Sequence, residues 1–210
     1  MRWRSGRLRA SAPPAGRAGW TSADGDGRLE RGPLADGGGE ARELGVVAHR
    51  DRRHLAEART PISGASDHGV SEALYLSDPD GHGIEIYRDR PLDEWPRKPD
   101  GELAMVSDPL DAQGIFAAGE GQAWAGMPKG TVMGHVHLHV SQLGAAQNFY
   151  TNALGFDLIQ NYGGQAAFVS AGGYHHHLGL NTWAGTGIPP APEDRARLLW
   201  YEILLPDQAA

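Results

Sequence analysis

Three short stretches concentrate the side chains able to bind a metal or move a proton. In GHVHLHV, residues 134–140, strand alternation puts His135, His137 and His139 on one face, with about 6.6 Å between successive positions along the strand. Three neutral imidazoles in a row suit a divalent metal or an oxyanion. In YHHHLGLNTW, residues 174–183, alternation groups His176 with Leu178 and Leu180, and His175 with His177 and Asn181. Both faces of that strand then carry imidazole, and at least one of these rings serves structure. In GIEIY, Ile84 and Ile86 oppose Glu85 and Tyr87, so a carboxylate projects from the middle of an apolar strand; the bland alternative is a glutamate on a solvated sheet face. His68 in ASDHGV and His82 in DPDGHG have turn-like surroundings, where a solvated loop histidine is the default.

Composition narrows the chemistry further. The 210 residues include ten histidines and no cysteine, so a metal must be held by imidazole, carboxylate or water. A formal charge of −7 leaves no footprint for nucleic acid or an anionic membrane. No apolar run approaches the roughly 20 residues that span a bilayer, and the Arg-rich start lacks a secretory apolar segment, so a cytoplasmic chain is expected. GEGQAWAG and NYGGQAA lack the Lys-Ser/Thr ending of a phosphate loop, and no serine nucleophile elbow is present.

The elements that must position these residues follow from pattern and turn chemistry. Residues 1–52 are rich in Gly, Arg, Ala and Asp without hydrophobic period, and read as a disordered or out-of-frame segment. A short helix is expected over 53–59, then a turn-rich connection over 61–69. Next come strands SEALYLS and GIEIYR, joined as a hairpin by DPDG. Residues 91–131, with five prolines and with Trp95 and Trp124, read as a linker that packs aromatics, with a short helix near 111–118. From residue 132 the order is β-α-β-β-β: GHVHLHV; a helix over 143–154 with Leu143, Ala146, Phe149, Tyr150 and Leu154 on one face and Gly155 stopping it; then strands near 156–162, 165–170 and 174–182. The run LLWYEILL begins another unit, an edge strand without its partners.

SEALYLSDPDGHGIEIYRDRP, GHVHLHV followed by FYTNALGF, and SAGGYHHHLGLNTW resemble the catechol 2,3-dioxygenase branch of the vicinal oxygen chelate (glyoxalase/bleomycin resistance/extradiol dioxygenase) superfamily, over residues 53–207. The resemblance implies an α+β fold of paired βαβββ modules, here incomplete at both ends. Residues 53–90 would be the remnant of a first domain and 132–210 a truncated second one. It further implies a divalent metal, Fe(II) or alternatively Mn(II), held by two histidines and a glutamate. The matching positions are His135 and Glu85, with the third ligand unassigned and His137 as a further candidate; His176 falls where the family keeps an acid/base histidine. The expected reaction is ring cleavage of a catechol-type diol by O2. The alternatives are a glyoxalase-type isomerase or lyase, and a non-catalytic binding module or remnant. A homodimer is a further expectation, since exposed strand edges invite pairing.

Overall fold

The computed structural model describes residues 7–10, 53–121, 123–127 and 131–204. In chain order the elements are strand β1 (Arg7–Ala10), helix α1 (residues 53–57), β2 (Ile62–Asp67), β3 (Ser71–Ser77), β4 (Gly83–Asp89), helix α2 (Ala112–Ala118), β5 (Val136–His139), helix α3 (Leu143–Asn148), β6 (Asp157–Tyr162), β7 (Ala166–Ser170), β8 (Leu178–Asn181) and β9 (Tyr201–Leu204). They fall into two compact units, Leu29–Val132 and Met133–Ala210 with Met1–Arg28. Within the described residues no helix is long and apolar enough to cross a membrane.

In the unit containing residues 53–132, β2, β3 and β4 form an antiparallel sheet in that order. The β3–β4 hairpin forms where DPDG places it. Asp78 Oδ1 accepts from the N–H groups of Asp80 and His82, and Gly81 takes the positive φ of 88° that ends the turn. Counting back from that turn pairs Tyr75 with Glu85 and Leu74 with Ile86, so the expected separation of Glu85 from the isoleucines holds. β2 corrects the expectation of a loop over 61–69: ISGASD lacks apolar alternation, yet its backbone pairs along β3. Arg90 bridges the strands, donating from Nη1 and Nη2 to the two carboxylate oxygens of Asp67 at 2.6 and 2.7 Å and from Nη2 to Glu72 at 3.2 Å. That bidentate guanidinium holds the Asp67 carboxyl below its ordinary range. The expected short helix is α2, capped by the Asp111 carboxylate on the Gly114 N–H at 3.0 Å, with Ile115 buried.

The other unit is a βαβββ module. β5 runs parallel to β8, and the sheet order is β5-β8-β7-β6. One face is apolar: Val136 pairs with Leu178, and Leu178 with Val169, in a buried cluster completed by Phe156 and Ala171. Tyr150 and Leu154 pack against it, as the expected helix face required. Phe149 does not; it is 54% exposed, because α3 gives way to a π-helical turn, Phe149–Ala153, with Leu154 N–H bonded to the Phe149 carbonyl. The wider turn rotates Phe149 out of the apolar stripe while keeping Tyr150 in it. β9, expected as an unpaired edge, pairs antiparallel with β1. These four N-terminal residues thus form a strand where disorder was expected, which fits the demand of an open strand edge for a partner. The rest of 1–52 lies outside the described residues.

Candidate functional site

The sheet of the βαβββ unit carries its imidazoles on the face opposite the apolar core. Cross-strand register sets His137 beside Gly179 and Gly179 beside Phe168, while His139 pairs with Asn181. With no side chain at Gly179, the His137 ring lies over that backbone position, and a Cβ added there would overlap its Nε2 edge. Phe168 meets the ring edge-on at 5.7 Å and Trp183 stacks on it at 5.4 Å and 16°. Asn181, fully buried, places its Nδ2 at 2.9 Å from His137 Nδ1, and its Oδ1 accepts the Trp183 N–H at 3.2 Å.

Beside this group lie the rings of 175–177. His176 sits 4.2 Å from the His135 ring and 4.9 Å from Phe168. It therefore shares the face of His135 and His137, not that of Leu178 and Leu180 as alternation suggested. The physical reason is that regular pairing starts only at Leu178: Gly172 and Gly173 adopt positive φ, and residues 174–177 precede the strand. His175 Nδ1 is 2.8 Å from His176 Nδ1, so one ring donates and the other accepts. His177 turns elsewhere: its Nδ1 accepts from the Ala171 N–H at 3.3 Å and lies 2.9 Å from Ser170 Oγ. All three residues are buried, and the contacts with Ser170 and Ala171 tie His177 into the module.

Glu85 belongs to the other unit. Its carboxylate accepts from the Tyr75 hydroxyl at 3.2 Å, and Tyr75 lies 2.6 Å from His68 Nε2, whose Nδ1 faces the Val106 carbonyl at 2.8 Å. Burial, with the Glu85 charge behind it, pushes the Tyr75 hydroxyl pKa upward, so this hydroxyl stays protonated at neutral pH. His68 is thus a half-buried bridging residue rather than a solvated loop histidine. His82 does behave as a turn residue, paired with Asp78 at 3.2 Å. Within the described residues, no three His, Asp or Glu side chains converge as a metal-ligand set. His135 and Glu85, expected as joint ligands, lie in different units.

The tight seat of His137 gives a direct test. Gly179→Ala is expected to drive the ring off the sheet and to cost about 1–3 kcal/mol from overpacking, read by urea unfolding. An unchanged midpoint together with unchanged His137 imidazole resonances would contradict this seating.

Residues 132–200 match the Glyoxalase/Bleomycin resistance protein/Dioxygenase superfamily. The chain is also 48% identical, over 170 residues, to a catechol-2,3-dioxygenase of Bacillus subtilis (strain 168). That alignment takes in 80% of this chain and 58% of the relative, so the chain spans well under two thirds of the relative's length.

Proposed function

We propose that this chain, whose residues 132–200 match the Glyoxalase/Bleomycin resistance protein/Dioxygenase superfamily, is a member of it and acts in extradiol cleavage of a catechol-type diol by O2 in the cytoplasm. The observation that carries the proposal is the imidazole face of the βαβββ unit, where the rings of His135, His137 and His176 neighbour one another, with Phe168 against His137 and His176 and Trp183 stacked on His137. Identity to a catechol-2,3-dioxygenase supports the choice of reaction within the superfamily.

The aromatic neighbours suit a planar ring: Phe168 presents its edge, and Trp183 is 54% exposed while stacked on His137. His176 is the proposed acid/base. Because its Nδ1 is bonded to His175, proton exchange with a diol hydroxyl falls to its Nε2. Fe(II), or Mn(II), is the proposed metal, with His135 and Glu85 as proposed ligands; bound there, such an ion would supply Lewis-acid activation of the diol and of O2.

The test is anaerobic Fe(II) loading of the chain, followed by metal analysis and catechol-dependent oxygen uptake. The expected result is bound iron and turnover, both lost in His135→Ala and in Glu85→Ala. Iron lost in His135→Ala but kept in Glu85→Ala would place the centre on the imidazole face and remove Glu85 from the ligand set. No iron and no turnover in the unaltered chain would overturn the enzyme reading and leave a non-catalytic binding module.

A further inference from the structure

We infer that Asn181 is a positioning residue that locks the His137 imidazole in its Nε2–H tautomer, so that His137 has no lone pair left for a metal. The inference rests on reading this face as the diol site, and it removes His137 from the imidazoles that a metal there could use.

The Asn181 amide is oriented by its two partners. Its Oδ1 accepts the backbone N–H of Trp183 at 3.2 Å, a group that can only donate. The other end of the amide is therefore the NH2, and it is this group that lies 2.9 Å from His137 Nδ1. An amide NH2 only donates, so Nδ1 accepts with its lone pair and carries no proton. A neutral imidazole has one N–H and one bare nitrogen, which places the proton on Nε2. Both ring nitrogens are then committed: Nδ1 to Asn181 and Nε2 to its own hydrogen.

Burial makes the lock stiff. Asn181 is fully buried on β8, its own carbonyl accepts the Val140 N–H at 2.7 Å, and the His137 ring is seated over Gly179 two residues earlier on the same strand. An Asn181 left without either partner would have a polar group buried at a cost, so the amide has no inexpensive alternative orientation. The same device recurs at His177, whose Nδ1 accepts the Ala171 N–H at 3.3 Å.

The experiment reads the tautomer directly. Chain labelled with 15N-histidine is examined by long-range proton–nitrogen correlation at neutral pH without added metal, with His137→Gln assigning the resonances. The expected spectrum shows His137 with a proton-bearing Nε2 and a bare Nδ1. In Asn181→Asp the carboxylate can only accept, so the proton moves to Nδ1 and the pattern inverts. In Asn181→Ala the direction is lost and a single tautomer gives way to a mixture. A proton on Nδ1 in the unaltered chain would overturn the inference, and so would an Nε2–H pattern that survives in both variants. Should the aspartate fail to fold, the unaltered chain and the alanine variant still decide. None of these readings requires iron or turnover, so their failure is separate from failure of the dioxygenase reading.

Discussion

Leu178→Ala is expected to lower the stability of the βαβββ unit by about 2–5 kcal/mol, the range for truncating a fully buried leucine in a core that relaxes only partly. Leu178 has no exposed surface, and it sits on the central strand β8 with Val136 on one side and Val169 on the other. Few neighbours can move in to fill the void, because Val169 and Leu180 are themselves completely buried on paired strands. A useful control is Leu158→Ala, at a position 39% exposed on β6, where the same truncation should cost far less. Urea unfolding of the three proteins measures the difference. Equal midpoints for Leu178→Ala and the control would mean that β8 is not the packed centre of the unit. The site enters because β8 carries Leu178 and Leu180 towards the core and Gly179 and Asn181 towards the imidazoles. Loosening the core face should therefore broaden the His137 resonances even though no imidazole has been changed.

The parts of this arrangement legible in the sequence were those set by local chemistry. The hairpin over DPDG needed only turn residues flanked by alternating strands, and from its centre the pairing of Tyr75 with Glu85 can be counted. That count places a hydroxyl donor, Tyr75, opposite the Glu85 carboxylate. The β-α-β-β-β order and the shared face of His135 and His137 were likewise readable from periodicity. Three features were not. β2 takes its conformation from the edge of β3 rather than from its own residues ISGASD, so pattern alone gave a loop. The π-helical turn leaves no signature in spacing, since five residues to the bond departs from the 3.6 period only once. His68 gains its role from Val106, 38 residues away, a contact no local window contains.

His176 shows why alternation must be anchored before it is used. The assignment of faces across YHHHLGLNTW assumed a strand from Tyr174, but pairing begins at Leu178, after glycines at positive φ. Gly179 and Asn181, inside the regular strand, lie on the face that alternation gave them. Their importance was missed because glycine and asparagine become informative only once the neighbour that fills the space, His137, is known.

Trp95→Ala is expected to cost the unit holding Glu85 about 3–5 kcal/mol, the usual loss for a buried tryptophan. Trp95 lies in the proline-rich stretch read from sequence as a linker packing its aromatics, and it is only 6% exposed. Its Nε1 donates to the Arg90 carbonyl at 2.8 Å, just beyond β4. The residues after it close back on the sheet: Ala104 N–H bonds to the Pro96 carbonyl, Val106 N–H to the His68 carbonyl, and Pro96 packs so near Gly69 that a side chain there would collide with it. Trp95→Phe should keep most of the apolar contact and lose the indole donor, costing about 1–3 kcal/mol for a carbonyl left short of its partner. The order alanine, then phenylalanine, then unaltered chain in rising unfolding midpoint is the expected outcome. Removing the anchor should also free the 104–106 segment that holds His68 Nδ1, and with it the Tyr75 hydroxyl presented to Glu85. A Trp95→Ala chain that unfolds at the unaltered midpoint would show instead that residues 91–106 are a true linker, and that the His68, Tyr75 and Glu85 arrangement is held by the β2–β4 sheet alone.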